Sequence, residues 1–140
     1  MQSSLEYGGI YYVKKRIDKT TKRPIFQPAV VVSNVVPTKN SGIVAIVYLI
    51  DYVDDMLPTH IAIHSSGRPS TALCERITTI DISKFGTRLG SITKAEMIEV
   101  HKGIANHLQM NSHSGKAEKL VELDLLNTDL YSNLERMDVE

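Results

Sequence analysis

Six cations fall within ten positions near the start of the sequence: Lys14, Lys15, Arg16, Lys19, Lys22 and Arg23. A cluster of this density gathers phosphates or acidic protein segments, or else it is a solvated, mobile connection. Acid–base chemistry would fall to His60 and His64, because imidazole changes charge near neutrality. Glu75 and Asp81 stand too far apart in sequence to be read as a working carboxylate pair. His101, His107 and His113 recur at six-residue intervals, which do not share a helical face, so neither a metal site nor a cofactor is expected. Cys74 is the single cysteine and makes no internal disulfide.

The elements that must position these groups are mostly short strands. Residues 9–15, rich in tyrosine and β-branched side chains, predict a first strand. A long, polar, basic connection follows, which Pro24 and Pro28 keep out of helix. Residues 29–33 and 42–49 form continuous apolar runs of the kind buried on both faces. Residues 60–64 alternate apolar with polar, and residues 71–79 predict a further extended stretch. Strands so closely spaced imply a strongly curved sheet or small barrel.

A helix begins after Thr93, where the hydroxyl and Glu96 three residues on make a capping box. Its expected buried stripe is Met97, His101, Ile104 and Leu108. Residues 110–115 break the pattern, and a second stripe of Leu123, Leu126, Leu130, Leu134 and Met137 predicts another helix. The expected organisation is a β-rich α+β domain over residues 1–109 and an acidic, helical extension over residues 110–140.

Formal net charge is zero, but it is unevenly spread. Residues 117–140 hold seven acidic side chains against two basic ones, while the rest of the chain holds 14 basic against nine acidic. A body of charge +5 therefore carries a tail of −5. No apolar window is long enough to span a membrane, and the start of the sequence lacks a charged stretch followed by an apolar run. The expectation is a cytoplasmic protein.

Four blocks occur in one order: Gly9-Ile-Tyr-Tyr-Val13, Pro28-Ala-Val-Val-Val-Ser-Asn34, Leu57-Pro-Thr-His60 and Ala72-Leu-Cys-Glu-Arg-Ile-Thr-Thr-Ile-Asp81. With Gly90-Ser-Ile-Thr93 and the helix that follows, they resemble the MazF/PemK toxins of the CcdB/Kid/MazF superfamily over residues 8–108. The resemblance implies a small, strongly bent SH3-like barrel closed by a C-terminal helix, usually as a homodimer. Active members of that family cut single-stranded RNA without a metal. They use an arginine just before the valine-rich strand and a threonine or serine ending the next strand.

Here those positions are Gln27 and Ile50; a one-residue shift would put Leu49 or Asp51 at the second. The stretch before Gln27 also departs from the family, with Thr20-Thr-Lys-Arg23, and Val35 replaces an acidic residue. Glutamine carries no charge, and isoleucine neither donates nor accepts a proton. Losing one oriented donor costs about 10²–10³ in rate, so the expectation is a pseudoenzyme with very weak or no endoribonuclease activity. Arg23, which precedes Pro24, and Arg76 are candidate substitute cations for an active, rearranged enzyme. The expected ligand-binding set is Lys14, Lys15, Arg16, Lys19, Lys22, Arg23, Gln27 and Arg76. The partner is RNA or a protein, either an antitoxin taken as a decoy or a component of nucleic-acid machinery. The acidic tail is either autoinhibitory or a packed amphipathic helix.

Overall fold

A computed structural model describes residues 5–110. The chain divides into two compact units, Met1–His107 and Leu108–Glu140, and the architecture below belongs to the first. The second leucine stripe, the break at residues 111–115 and His113 lie outside the described residues.

The strands are β1 (Gly9–Ile17), β2 (Pro24–Val31), β3 (Val36–Pro37), β4 (Gly42–Asp51), β5 (His60–Ile63), β6 (Ser70–Leu73), β7 (Thr78–Asp81) and β8 (Phe85–Ser91); helix α1 (Lys94–His107) follows. All pairings are antiparallel, in the order β5-β6-β4-β2-β1-β8, with β3 and β7 also paired to β4.

Strand β4 is where the sheet turns. One edge pairs with β2, while the other pairs first with β7, from Ile43 to Ile46, and then with β6, from Leu49 to Asp51. A 3-10 turn at Cys74–Arg76 fills the corner between β6 and β7. The extended stretch expected at residues 71–79 is thus broken there, because its two halves belong to differently directed parts of a curled sheet.

Alternation along the strands sends side chains to two cores. One face buries Ile10, Val30, Val47, Leu49, Ile63 and Ala72 beneath Met97 and Val100 of α1. The other buries Tyr11, Val13, Ala29, Val31, Val44, Ile46 and Phe85 inside the curl. This explains the continuous apolar runs in β2 and β4, whose successive residues enter one core and then the other. The expected barrel-like α+β fold with a closing helix is the observed one.

Three details differ from the sequence expectation. The basic segment is a hairpin: β1 runs on to Ile17 and β2 already begins at Pro24, leaving a connection of residues 18–23. Lys14, Lys15 and Arg16 therefore lie on a strand. Strand β8 was not expected, since of its seven residues only Phe85 is fully buried and Gly86 and Gly90 punctuate it. The buried face of α1 is Met97, Val100 and Gly103, while His101 is exposed and Leu108 lies past the helix end. Gly103 decides that rotation: a Cβ there would stand 2.8 Å from Cys74 Sγ, so the helix settles with its bare backbone against the 3-10 turn.

The capping box is present, with Glu96 N donating to Thr93 Oγ1 and Thr93 N to Glu96 Oε1, each at 3.0 Å. No helix among the described residues is long and apolar enough to cross a membrane.

Candidate functional site

The site is a cleft of about 520 Å³ lined by parts of β1, β2 and β4. Its walls come from Ile10 and Tyr12 of β1, Gln27 and Pro28 of β2, residues 49–51 of β4, Leu89 of β8, Ser66, Gly67 and Arg68 of the loop between β5 and β6, and Ser70 at the start of β6. Strands β2 and β4 pair as far as Ala29 with Tyr48, and beyond that pair Gln27 and Ile50 both line the cleft, with the Gln27 side chain reaching the Leu49 carbonyl. The two positions singled out in the sequence thus share the cleft.

Both ends of the Gln27 amide are committed. Nε2 donates to the Leu49 carbonyl at 3.1 Å, and Oε1 accepts from Lys15 Nζ at 2.7 Å. Lys15 reaches it through a β-bulge, since the β1–β2 register slips between Lys14 and Arg16. Its ammonium also lies 5.1 Å from the centre of the Tyr48 ring, a cation–π contact.

The opposite wall carries Arg68, whose Nη2 is 3.0 Å from Asp51 Oδ1. Arg68 sits on an anchored loop: Ser66 Oγ donates to its carbonyl at 2.7 Å and lies 2.9 Å from Ser70 Oγ. Upstream in the loop, Glu96 accepts from His64 N at 2.7 Å and from the Ser65 hydroxyl, so the helix cap also holds the groove loop. Burial opposes the Glu96 charge, but the hydrogen bonds from Ser65, Thr93 and His64 outweigh it and hold its carboxyl below the ordinary range. Arg68 and Asp51 are the charged residues lining the cleft, and they cancel.

Other candidates lie elsewhere. Arg23 closes the hairpin tip, where its carbonyl accepts from Asp18 N at 2.8 Å, and Arg76 is exposed in the 3-10 turn; neither lines the cleft. Lys14, Arg16, Lys19 and Lys22 lie along the same hairpin and outside the lining. Asp81 accepts from Ser83 N and Ser41 Oγ, each at 2.9 Å, and so fixes a turn rather than joining Glu75. His101 Nε2 lies 2.7 Å from the Tyr7 hydroxyl.

His60 is clamped between two carboxylates, with Nδ1 2.8 Å from Asp55 Oδ2 and Nε2 3.0 Å from Glu75 Oε2. Both ring nitrogens donate, which is the imidazolium arrangement. Burial works against that charge, but the hydrogen bonds to Glu75 and Asp55 outweigh it and raise the His60 pKa. His60 is a strut between the loop after β4 and the 3-10 turn, away from the cleft lining. Burial, helped by the neighbouring Glu75, pushes the Cys74 thiol up to about 12, which leaves it a poor nucleophile. Among the described residues, no group of three or more His, Cys, Asp or Glu side chains is placed to hold a metal ion.

Arg68, Tyr12 and the paired serines are cleft residues that sequence reasoning did not single out. The one usable signal was a cation in the turn-forming run Ser65-Ser-Gly-Arg-Pro69, where a loop presents it.

Solved structures share this architecture. An endoribonuclease from a mycobacterial species superposes with a TM-score of 0.58 at 23% identity, covering 76% of this chain and 92% of that one. A mycobacterial endoribonuclease in complex with its cognate antitoxin gives 0.58 at 22% identity, with coverage of 76% and 96%. The MazE–MazF complex from Deinococcus radiodurans gives 0.60 at 14% identity, again covering 76% and 96%. At these identities the likeness is one of fold. No curated protein matches the sequence. The family model described as PemK-like, MazF-like toxin of type II toxin–antitoxin system matches residues 6–108, most of the chain, and the protein belongs to that family.

Proposed function

We propose that this member of the toxin family uses its groove to hold single-stranded RNA and cuts it very weakly or not at all. The observation that carries the reading is Gln27, a neutral amide already bonded at both ends, lining the same cleft as the inert side chain of Ile50. In-line cleavage by a ribose hydroxyl gathers negative charge on the phosphorus centre and requires a proton to move. Gln27 brings no charge to that centre and does not titrate, and Ile50 offers neither a donor nor an acceptor. The cations that remain near the groove, Lys15 and Arg68, suit attraction and positioning.

Incubating the purified protein with a mixed-sequence RNA, with and without chelator, tests the reading. Intact RNA that is nonetheless bound is the expected result. Chelator-resistant cuts ending in cyclic phosphate would instead establish an active, rearranged enzyme, the reading that Arg68 in the cleft wall favours.

A protein ligand is the other class, favoured by the exposed apolar side chains of Tyr52, Val53, Met56 and Leu57 on the loop leaving β4. An antitoxin-type partner or a component of nucleic-acid machinery would then come down with the protein in place of RNA. The same reading takes the protein as a cytoplasmic homodimer without cofactor, and sedimentation of the purified chain checks the dimer.

A further inference from the structure

We propose that Lys15 is a fixed anchor for one phosphodiester of a single-stranded nucleic acid at the lip of the groove, with Gln27 and Tyr48 as its positioning residues. The proposal rests on the RNA-holding reading above and adds to it where the backbone is gripped.

An exposed lysine ordinarily spreads over many rotamers, and fixing one costs side-chain entropy. Lys15 has been fixed in advance. The bulge takes it out of register with its β2 neighbours, the Gln27 carbonyl oxygen holds one N–H at 2.7 Å, and the Tyr48 ring lies 5.1 Å from Nζ. An ammonium has three N–H donors, so donors remain for an incoming oxygen. No carboxylate pairs with Lys15 among the described residues, whereas Arg68 is paired with Asp51. The cleft wall is therefore formally neutral and the free, oriented charge sits beside it.

That separation fits a nucleic-acid strand, whose phosphates lie to one side of its bases. The Tyr12 ring lines the cleft and is 40% exposed, so it offers a base a stacking face within the same groove. Lys14 and Arg16 share the strand but have no comparable tether.

The test is fluorescence anisotropy of the full chain with a 2′-O-methylated, mixed-sequence oligoribonucleotide, which resists cleavage, measured across a salt series. Lys15→Gln is expected to weaken binding on the order of fivefold at roughly 50 mM salt and to flatten the salt slope by about 0.7, the single-strand value for one lost phosphate contact. Lys15→Arg should keep the slope, and Gln27→Ala should weaken binding while leaving the slope unchanged, because the charge stays but its tether is gone. Lys39→Gln, in the turn between β3 and β4, makes the same change of net charge far from the groove and should move neither quantity. A Lys15→Gln variant that behaves like Lys39→Gln overturns the anchor alone, leaving the RNA-holding reading in place. A wild-type chain that fails to bind the oligonucleotide at any salt overturns both. Lys15-dependent binding of polyglutamate, with oligonucleotide binding independent of Lys15, overturns the phosphodiester assignment.

Discussion

Gln27 does two things in the groove: its amide N–H ties β2 to the Leu49 carbonyl, and its oxygen holds the Lys15 ammonium. Replacing it with arginine would bring a fixed cation with several donors, and replacing Ile50 with threonine would add a hydroxyl. The Gln27→Arg, Ile50→Thr double variant is therefore expected to cut RNA at least about 10²-fold faster than the native chain, without metal, while either single variant gains little. A quenched fluorescent RNA measures this; a double variant that binds the RNA yet cuts no faster would show that the groove does not present the phosphate to these positions. The order of the motif blocks made these two positions legible in the sequence, and both line the cleft. Of the groove's cations, Lys15 stood undistinguished among its neighbours in the expected set, and Arg68 was not legible. Arg23 and Arg76 drew attention by their neighbours in sequence, but one closes a hairpin tip and the other exits a 3-10 turn. Lys15 arrives by a bulge that no hydrophobic period encodes, and Arg68 by a loop whose anchor, Glu96, lies 28 residues away in sequence.

The helix and the groove loop form one mechanical element, because the carboxylate that caps α1 also accepts from His64 N and Ser65. Glu96→Ala should cost about 1–2 kcal/mol, the upper part of the range for a lost cap, read as a lower urea midpoint. It should also loosen the Arg68 loop, seen as faster amide exchange at Ser66–Arg68 than global unfolding explains. Exchange that slows or stays unchanged there would separate the cap from the loop. Two turns further along the same face, α1 rests on Gly103. Alanine there gains about 1 kcal/mol of helix propensity but drives a methyl to 2.8 Å from Cys74 Sγ and 3.1 Å from Ile61 Cγ1, an overpacking cost of about 1–3 kcal/mol. Gly103→Ala is expected to destabilise on balance, and adding Cys74→Ala should restore part of the loss; strictly additive urea midpoints would mean the contact is not what matters. At this scale the capping box and the two-faced strands could be read directly from residue types. Strand β8 and the true helix face could not: β8 is an exposed partner of β1 with few apolar side chains, and the helix rotates to place a glycine, which carries no apolar signal, against the 3-10 turn.

Across the described residues, two cores share one curled sheet, and the corner between them is braced by ionised groups. Asp55, His60 and Glu75 join the loop after β4 to the 3-10 turn that breaks β6 from β7, and the His60 side chain is only 12% exposed. Truncating it to alanine leaves two carboxylates without their shared donor, and the urea midpoint is expected to fall. The pH dependence follows from the directions of the shifts. Despite opposing burial, the hydrogen bonds to Glu75 and Asp55 raise the His60 pKa above its ordinary 6.5, so the folded chain keeps a proton there that the unfolded chain releases first. That contribution is complete below 6.5 and is lost as pH rises through the folded-state value. Asp55 is lowered from 3.8, chiefly by its hydrogen bond with His60. Glu75 is lowered from 4.5 because the His60 hydrogen bond and others outweigh burial. Their contribution is complete above those ordinary values and is lost as pH falls through the depressed ones. The brace is therefore strongest between about 4.5 and 6.5. Raising the pH from about 6 to about 8.5 should lower the wild-type urea midpoint more than that of His60→Gln, which has no proton to lose. Equal declines in the two proteins would place the alkaline sensitivity elsewhere and leave His60 a packed neutral ring. A smaller decline in the variant would show that an imidazolium holds the corner on which β4, and the groove at its end, depend.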